Sequence, residues 1–150
     1  MKRHPALQPL SRDHHVALLA ALRLRRATAE DAVAARDAFL AFWREHGANH
    51  FRVEEEVLLP AFAVHADPNA ECVARMLMDH VRIRAAARRL EQPGDQPVES
   101  LHELGTLLER HVRLEEREVF PLIEDALPPQ AADDLVREVH AEPQGDQRGG

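Results

Sequence analysis

His50-Phe51-Arg52-Val53-Glu54-Glu55-Glu56-Val57-Leu58-Leu59-Pro60 returns later in the chain as His111-Val112-Arg113-Leu114-Glu115-Glu116-Arg117-Glu118-Val119-Phe120-Pro121. Both copies have His, three residues, Glu-Glu, two residues, an apolar pair and Pro. With 10 Pro and sixteen Glu in 150 residues, a given His meets Glu-Glu-Pro at those offsets about once in a thousand trials. Finding it at two of 10 His is not a product of composition.

The repeat extends beyond the copied phrase. Asp13-His14 precedes the first copy and Asp79-His80 precedes the second at a similar spacing. The chain therefore reads as two helical hairpins, each with Asp-His on one helix and His-x-x-x-Glu on the next. Aromatic residues are only 4%, Tyr is absent, and Ala, Leu, Glu and Arg dominate, a palette that favours helix over strand. The periodicity predicts helices over about 11–27, 30–64, 68–90 and 98–125, with a short fifth over 131–140. Ser11 is the expected N-cap of the first, and Asp67-Pro68 the N-cap and N1 pair of the third. Pro60 should kink or loosen the end of the second helix. Four long helices with short connections predict an all-α fold, an antiparallel up-down-up-down four-helix bundle with a short C-terminal fifth helix. The domain is expected over residues 1–141, with the polar residues 142–150 as a flexible tail.

At 100° per residue, His14 falls in a stripe with Leu10, Ala17, Leu18, Ala21 and Leu22, whereas His15 falls beside Arg12 and Arg23. His80 lies amid Val73, Met76, Leu77, Ile83 and Ala87. Residues four apart on a helix are neighbours, so His50 with Glu54, and His111 with Glu115, can each reach one centre. Leu104, Leu107, Leu108, Leu114, Glu118 and Leu122 share the inward side of the fourth helix. Four imidazoles and two carboxylates thus converge in the core, where they are costly unless paired or bound to a cation. Nitrogen and oxygen ligands without thiolate suit iron, manganese or zinc, and carboxylates can bridge two ions. Six side chains are too many for one tetrahedral zinc and suit a dinuclear centre.

The rival reading, hydrogen-bonded core histidines and surface His–Glu pairs, would have to hold six times in a repeated arrangement. It does win for His4, His65, His102 and His140, and Glu99-x-x-His102 is incidental. Glu55 and Glu116 lie 140° from their His on an ideal helix. They either face a neighbouring helix or solvent, or take part at the site. Asp13 and Asp79 are either acceptors for an imidazole N–H or ordinary exposed acids, the second being favoured. His46 either lines an access route or hydrogen-bonds within the core. Cys72 reads as a small packed side chain.

These residues, from Leu10 to about Asp125, resemble the hemerythrin-like family, the HHE cation-binding domain. The resemblance rests on Asp13-His14, His50-x-x-x-Glu54-Glu55 running to Pro60, Asp79-His80, and His111-x-x-x-Glu115-Glu116 running to Pro121. It implies a four-helix bundle with a non-haem di-iron site whose ligands are His14, His50, Glu54, His80, His111 and Glu115. The chain departs from the oxygen-carrying hemerythrins, which use a second His one turn from the third-helix ligand; Met76 and Arg84 stand there. Those proteins also use Asp five residues after the last His, where this chain has Glu116, with Glu115 one place earlier. The departures look less like a dedicated oxygen carrier than like members that sense iron or oxygen, handle nitric oxide or peroxide, or serve iron homeostasis.

The formal net charge of −7 argues against a nucleic-acid partner. The single Cys72 rules out an internal disulfide and a cysteine-based metal site. No stretch of about 18 apolar residues predicts a membrane span, and no signal-like run follows Met1, so the cytoplasm is the expected compartment. The expected cofactor is two iron ions, with manganese or zinc open. The expected partner is a small diatomic or peroxide ligand, on a monomer or homodimer. The functional expectation is a di-iron protein acting on O2, NO or peroxide in sensing, stress response or iron homeostasis. The second reading is a metal-responsive interaction or regulatory module without redox turnover, favoured only by the fifth helix and the acidic surface.

Overall fold

A computed structural model describes residues 2–141; the expected tail, 142–150, lies outside them. The described residues form five helices and no strand, a helical bundle. Helix α1 is Gln8–Arg25. Helix α2 runs over 32–65 with two π-helical turns in it, and helix α4 over 98–126 with one. Helix α3 is Glu71–Glu91 and helix α5 is Pro129–Ala141. None is long and apolar enough to cross a membrane.

Two helix starts differ from the sequence expectation. Helix α1 begins three residues before Ser11, because Pro9 fits a first turn whose N–H groups have no intrahelical partner. Ser11 is already helical, its N–H donating to the Leu7 carbonyl at 2.9 Å. Helix α3 begins after Pro68, not at it. Asp67 Oδ1 accepts from the Asn69 N–H at 2.9 Å, a local turn that competes with the cap it was expected to form.

Proline leaves its mark upstream of itself. In α2 the turn Glu54–Leu58 is π-helical, and in α4 so is Glu115–Val119. Each ends two residues before the Pro of its copy. A Pro ring has no N–H and crowds the carbonyl four residues back, so a widened turn there relieves both problems. The expected loosening is thus one turn earlier than the Pro itself. The extra residue also rotates the downstream side chains about the helix axis. Val119, Phe120 and Ile123 are buried, whereas Glu118, expected inward, is exposed and pairs with Arg75 at 2.9 Å. Leu122 is half-buried. A third π-helical turn, Trp43–Gly47, precedes the first copy.

The apolar core is divided in two. One cluster includes Ala17, Leu24, Phe39, Trp43, Ile83, Leu104 and Leu108; the other includes Leu7, Leu10, Leu58, Phe62, Met76, Val119 and Phe120. Along each of the four long helices, the buried polar residues sit between a contribution to one cluster and a contribution to the other. Helix α1 packs chiefly on α4, and Gly105 allows that approach. A Cβ at Gly105 would stand 2.7 Å from the Ala21 carbonyl oxygen and 3.0 Å from the Arg25 backbone nitrogen. Gly105→Ala should therefore destabilise the protein by about 1–2 kcal/mol, because overpacking against backbone outweighs the helix propensity of Ala. A lower urea midpoint checks this; an unchanged or higher one contradicts it.

Candidate metal centre

Among the described residues, the buried charged or ionisable side chains are His14, His50, Glu54, His80, His111, Glu115 and Asp79. All six predicted ligands are thus in the interior, and Glu54 and Glu115 are 0% exposed. The structure brings all six together. His14, His50, Glu54 and Glu115 form one group, and Glu54, His80, His111 and Glu115 form another; within each, the donor atoms lie within 4.8 Å of one another. The two carboxylates belong to both groups and stand at the middle.

The imidazoles point their Nε2 atoms at that middle. His14 Nε2 is 2.8 Å from Glu115 Oε1, and His50 Nε2 is 3.1 Å from Glu54 Oε1. His80 Nε2 stands 3.5 Å from Glu54 and 3.6 Å from Glu115, and His111 Nε2 stands 3.4 Å from Glu115. Only His14 completes a hydrogen bond inward. The Nε2 atoms of His50, His80 and His111, both Glu54 oxygens and Glu115 Oε2 are buried without a hydrogen-bond partner. Leaving so many polar atoms unpaired is expensive. Lone pairs that converge on a common space without meeting one another are the arrangement a cation would complete. These residues fit a metal pair in number, donor type and direction.

The outer ring nitrogens are all held by carboxylates. The Nδ1–H of His50 donates to Asp13 at 3.0 Å, and that of His111 to Asp79 at 3.3 Å. The Nδ1–H of His80 donates to Glu55 at 2.7 Å, and that of His14 to Glu116 at 2.7 Å. Asp13 and Asp79 are therefore imidazole acceptors, contrary to the expectation of ordinary exposed acids. Each orients the His of another helix, not the His beside it in sequence. Glu55 and Glu116 face neighbouring helices and orient imidazoles as well. A carboxylate on the far nitrogen fixes the tautomer and raises the donor strength of Nε2.

Two arginines that sequence reasoning does not assign to the site complete this outer layer. Arg84 reaches Glu55 at 2.9 Å, and Arg3 reaches Glu116 at 2.7 Å. Arg84 stands one turn after His80, a spacing that could have revealed it. Arg3 lies ahead of the first helix, where periodicity carries no signal. His102 fulfils its bland reading, bonding the Ala27 carbonyl at 2.7 Å.

A narrow cavity of about 20 Å³ adjoins the centre, walled in part by Ala17, Trp43, Gly47, His50, Leu108 and Glu115. That is room for a single water-sized molecule. Asp13, His46 and His50 border both this cavity and an outer hollow of about 130 Å³ that opens beside Glu45, Asn49 and His140. Of the two alternatives for His46, its position fits the access route.

In the metal-free protein, protons take the cation's place. Burial pulls the His111 pKa down, but the Glu115 carboxylate and the Asp79 hydrogen bond outweigh it and lift it to about 10. Burial likewise opposes His80, which the facing Glu115 and Glu54 carboxylates raise to about 9. Burial pushes Glu116 up, yet His14 and Arg3 beside it bring it down to about 2. The raised imidazoles stabilise the fold fully below their ordinary value of 6.5 and lose that contribution as pH climbs through about 9 to about 10. Glu116 contributes above its ordinary 4.5 and loses its contribution as pH falls toward about 2. The metal-free protein should therefore melt highest between about pH 4.5 and 6.5. Metal needs neutral imidazoles, so its added stability should grow with pH and remove the alkaline decline. Thermal melts from pH 3 to 10, with and without chelator, check both limbs; a metal-free optimum above pH 8 would contradict the assignment.

No curated protein and no solved structure matches this chain. The model of one family does, the hemerythrin HHE cation-binding domain, over residues 8–123. That span takes in every one of the six converging ligand candidates, so the chain belongs to the hemerythrin HHE cation-binding domain family.

Proposed function

We propose that the protein binds two iron ions at this centre and uses them to react with a small ligand, O2, NO or peroxide. The carrying observation is the pair of donor groups sharing Glu54 and Glu115. His14 and His50 would hold one ion, His80 and His111 the other, and the two glutamates would bridge them. An up-down-up-down arrangement supports this reading. Passing from α1 to α4, the order in which the helices feed the two apolar clusters alternates, and that alternation brings the four inward layers to one depth.

When bound, iron would supply Lewis acidity and one-electron chemistry; the protein's own residues determine what reaches it. The carboxylates on Nδ1 fix the orientation of each imidazole and leave Nε2 as the nitrogen that would face an ion. The two apolar clusters keep bulk water off the centre. The adjoining cavity admits one water-sized molecule, which favours a diatomic or peroxide over a larger substrate. Nitrogen-rich, thiolate-free coordination also accepts manganese or zinc, and metal analysis separates them.

Protein purified without a chelating column should contain two iron ions per chain and show an oxo-bridge absorption band. His111→Ala should lose at least one ion while keeping its helical circular dichroism. Protein refolded with iron that retains none would sink the reading. Mixing the reduced form with O2 or H2O2 in a stopped-flow instrument should oxidise it within the first turnover; a long-lived oxygenated species would favour a carrier.

A further inference from the structure

We propose that Arg3 and Arg84 are positioning residues of the metal centre, each governing one of its two ion sites through the carboxylate it holds. The proposal rests on the dinuclear reading of that centre. It is argued from a constellation that occurs twice: the sequence repeat relates its His and Glu members, His14 with His80 and Glu116 with Glu55, but not the Arg and Phe that complete it. In one, Arg84 bonds Glu55 at 2.9 Å and Glu55 accepts from His80 Nδ1 at 2.7 Å. The His80 ring stacks on Phe51 with centroids 3.8 Å apart, and the Arg84 guanidinium sits 5.7 Å from the same Phe51 ring. In the other, Arg3 bonds Glu116 Oε2 at 2.7 Å and its carbonyl at 2.9 Å, and Glu116 Oε1 accepts from His14 Nδ1 at 2.7 Å. The His14 ring stacks on Phe120 at 5.4 Å, and Arg3 sits 5.5 Å from Phe120.

Each unit is a closed loop of Arg, Glu, His and Phe around one imidazole, and each imidazole belongs to a different donor group. The physical need is specific. Glu55 and Glu116 follow directly on Glu54 and Glu115, and both sit in the widened turns. A flexible carboxylate there can swing toward an ion or toward solvent. A guanidinium seated on a Phe face fixes it in the one rotamer that serves the imidazole. The planar fork suits this where an ammonium would not. Among the described residues the two aspartates lack the arrangement; Arg82 stands 3.9 Å from Asp79. Both arginines keep some solvent exposure, with side-chain accessibilities of 22% and 42%. As surface ion pairs alone they would contribute little to stability.

The test is calorimetric titration of metal-free protein with ferrous iron under anaerobic conditions. The wild-type chain should show two sites. Arg84→Gln should weaken one of them about 10–100-fold, the usual effect of losing an outer partner, and Arg3→Gln should weaken the other. Adding Arg84→Gln to His80→Ala should change the surviving site little, whereas adding it to His14→Ala should impair both. Arg84→Lys should recover only part of the loss. The metal-free variants should melt within a few degrees of wild type. Should a His→Ala chain fail to fold, the single Arg variants still decide. Two sites of wild-type affinity in both variants, or equal weakening of both sites by either, would overturn the proposal while leaving the dinuclear reading intact. A wild-type chain without two sites overturns the dinuclear reading, and this proposal with it.

Discussion

The governing constraint is the burial of ionisable groups in the middle of an apolar bundle. Two carboxylates with no solvent exposure sit among four imidazoles, and nothing in a hydrocarbon core compensates for that. An isolated buried carboxylate would neutralise itself or unfold the chain. Here the compensation is internal. In the metal-free protein the imidazoles hold protons and face the carboxylates; in the proposed metal-bound state, the same atoms would face the cation. The fold thus accepts a positive charge at its centre in either state. The division of the core into two apolar clusters, one on each side of the polar layer, is the packing counterpart of that arrangement.

The polar layer also explains the irregularities of the helices. A regular α-helix through Glu115 would turn Glu118 toward the core, adding another carboxylate to an already acidic interior. The π-helical turn places Val119 and Phe120 there and sends Glu118 out to Arg75. The Pro that ends each copy and the Glu that begins its widened turn are therefore parts of one device. The Pro makes a regular turn unfavourable, and the widened turn separates the Glu facing the centre from the Glu facing a neighbouring helix.

Much of this is legible in the sequence because it is periodic. The stripe through His14, the i,i+4 pairs His50–Glu54 and His111–Glu115, and the midpoint position of His80 come from helix geometry alone, and all six meet as expected. The missed features are those that periodicity cannot carry. Glu118 is misplaced because a 100° rotation per residue does not hold through a π turn. Asp13 and Asp79 are undervalued because their partners are on other helices, a relation set by packing and not by spacing. Arg3 precedes every helix, so no stripe contains it. The start of α3 moves because Asp67 finds a closer partner in Asn69 than in a helix N-terminus.

The small cavity beside Gly47 carries a consequence of its own. A Cβ at Gly47 would stand 2.7 Å from Trp43 Cε3, so that position stays bare. In the second copy the corresponding residue is Leu108, whose side chain is buried. The repeat that makes the ligand set symmetrical therefore does not make the approach symmetrical. A guest arriving past His46 meets a cavity lined by His14, His50 and His111 but not by His80, with Gly47 and Leu108 both in its wall. In the proposed two-ion centre, the His14–His50 side would then be the more open of the two to a small guest.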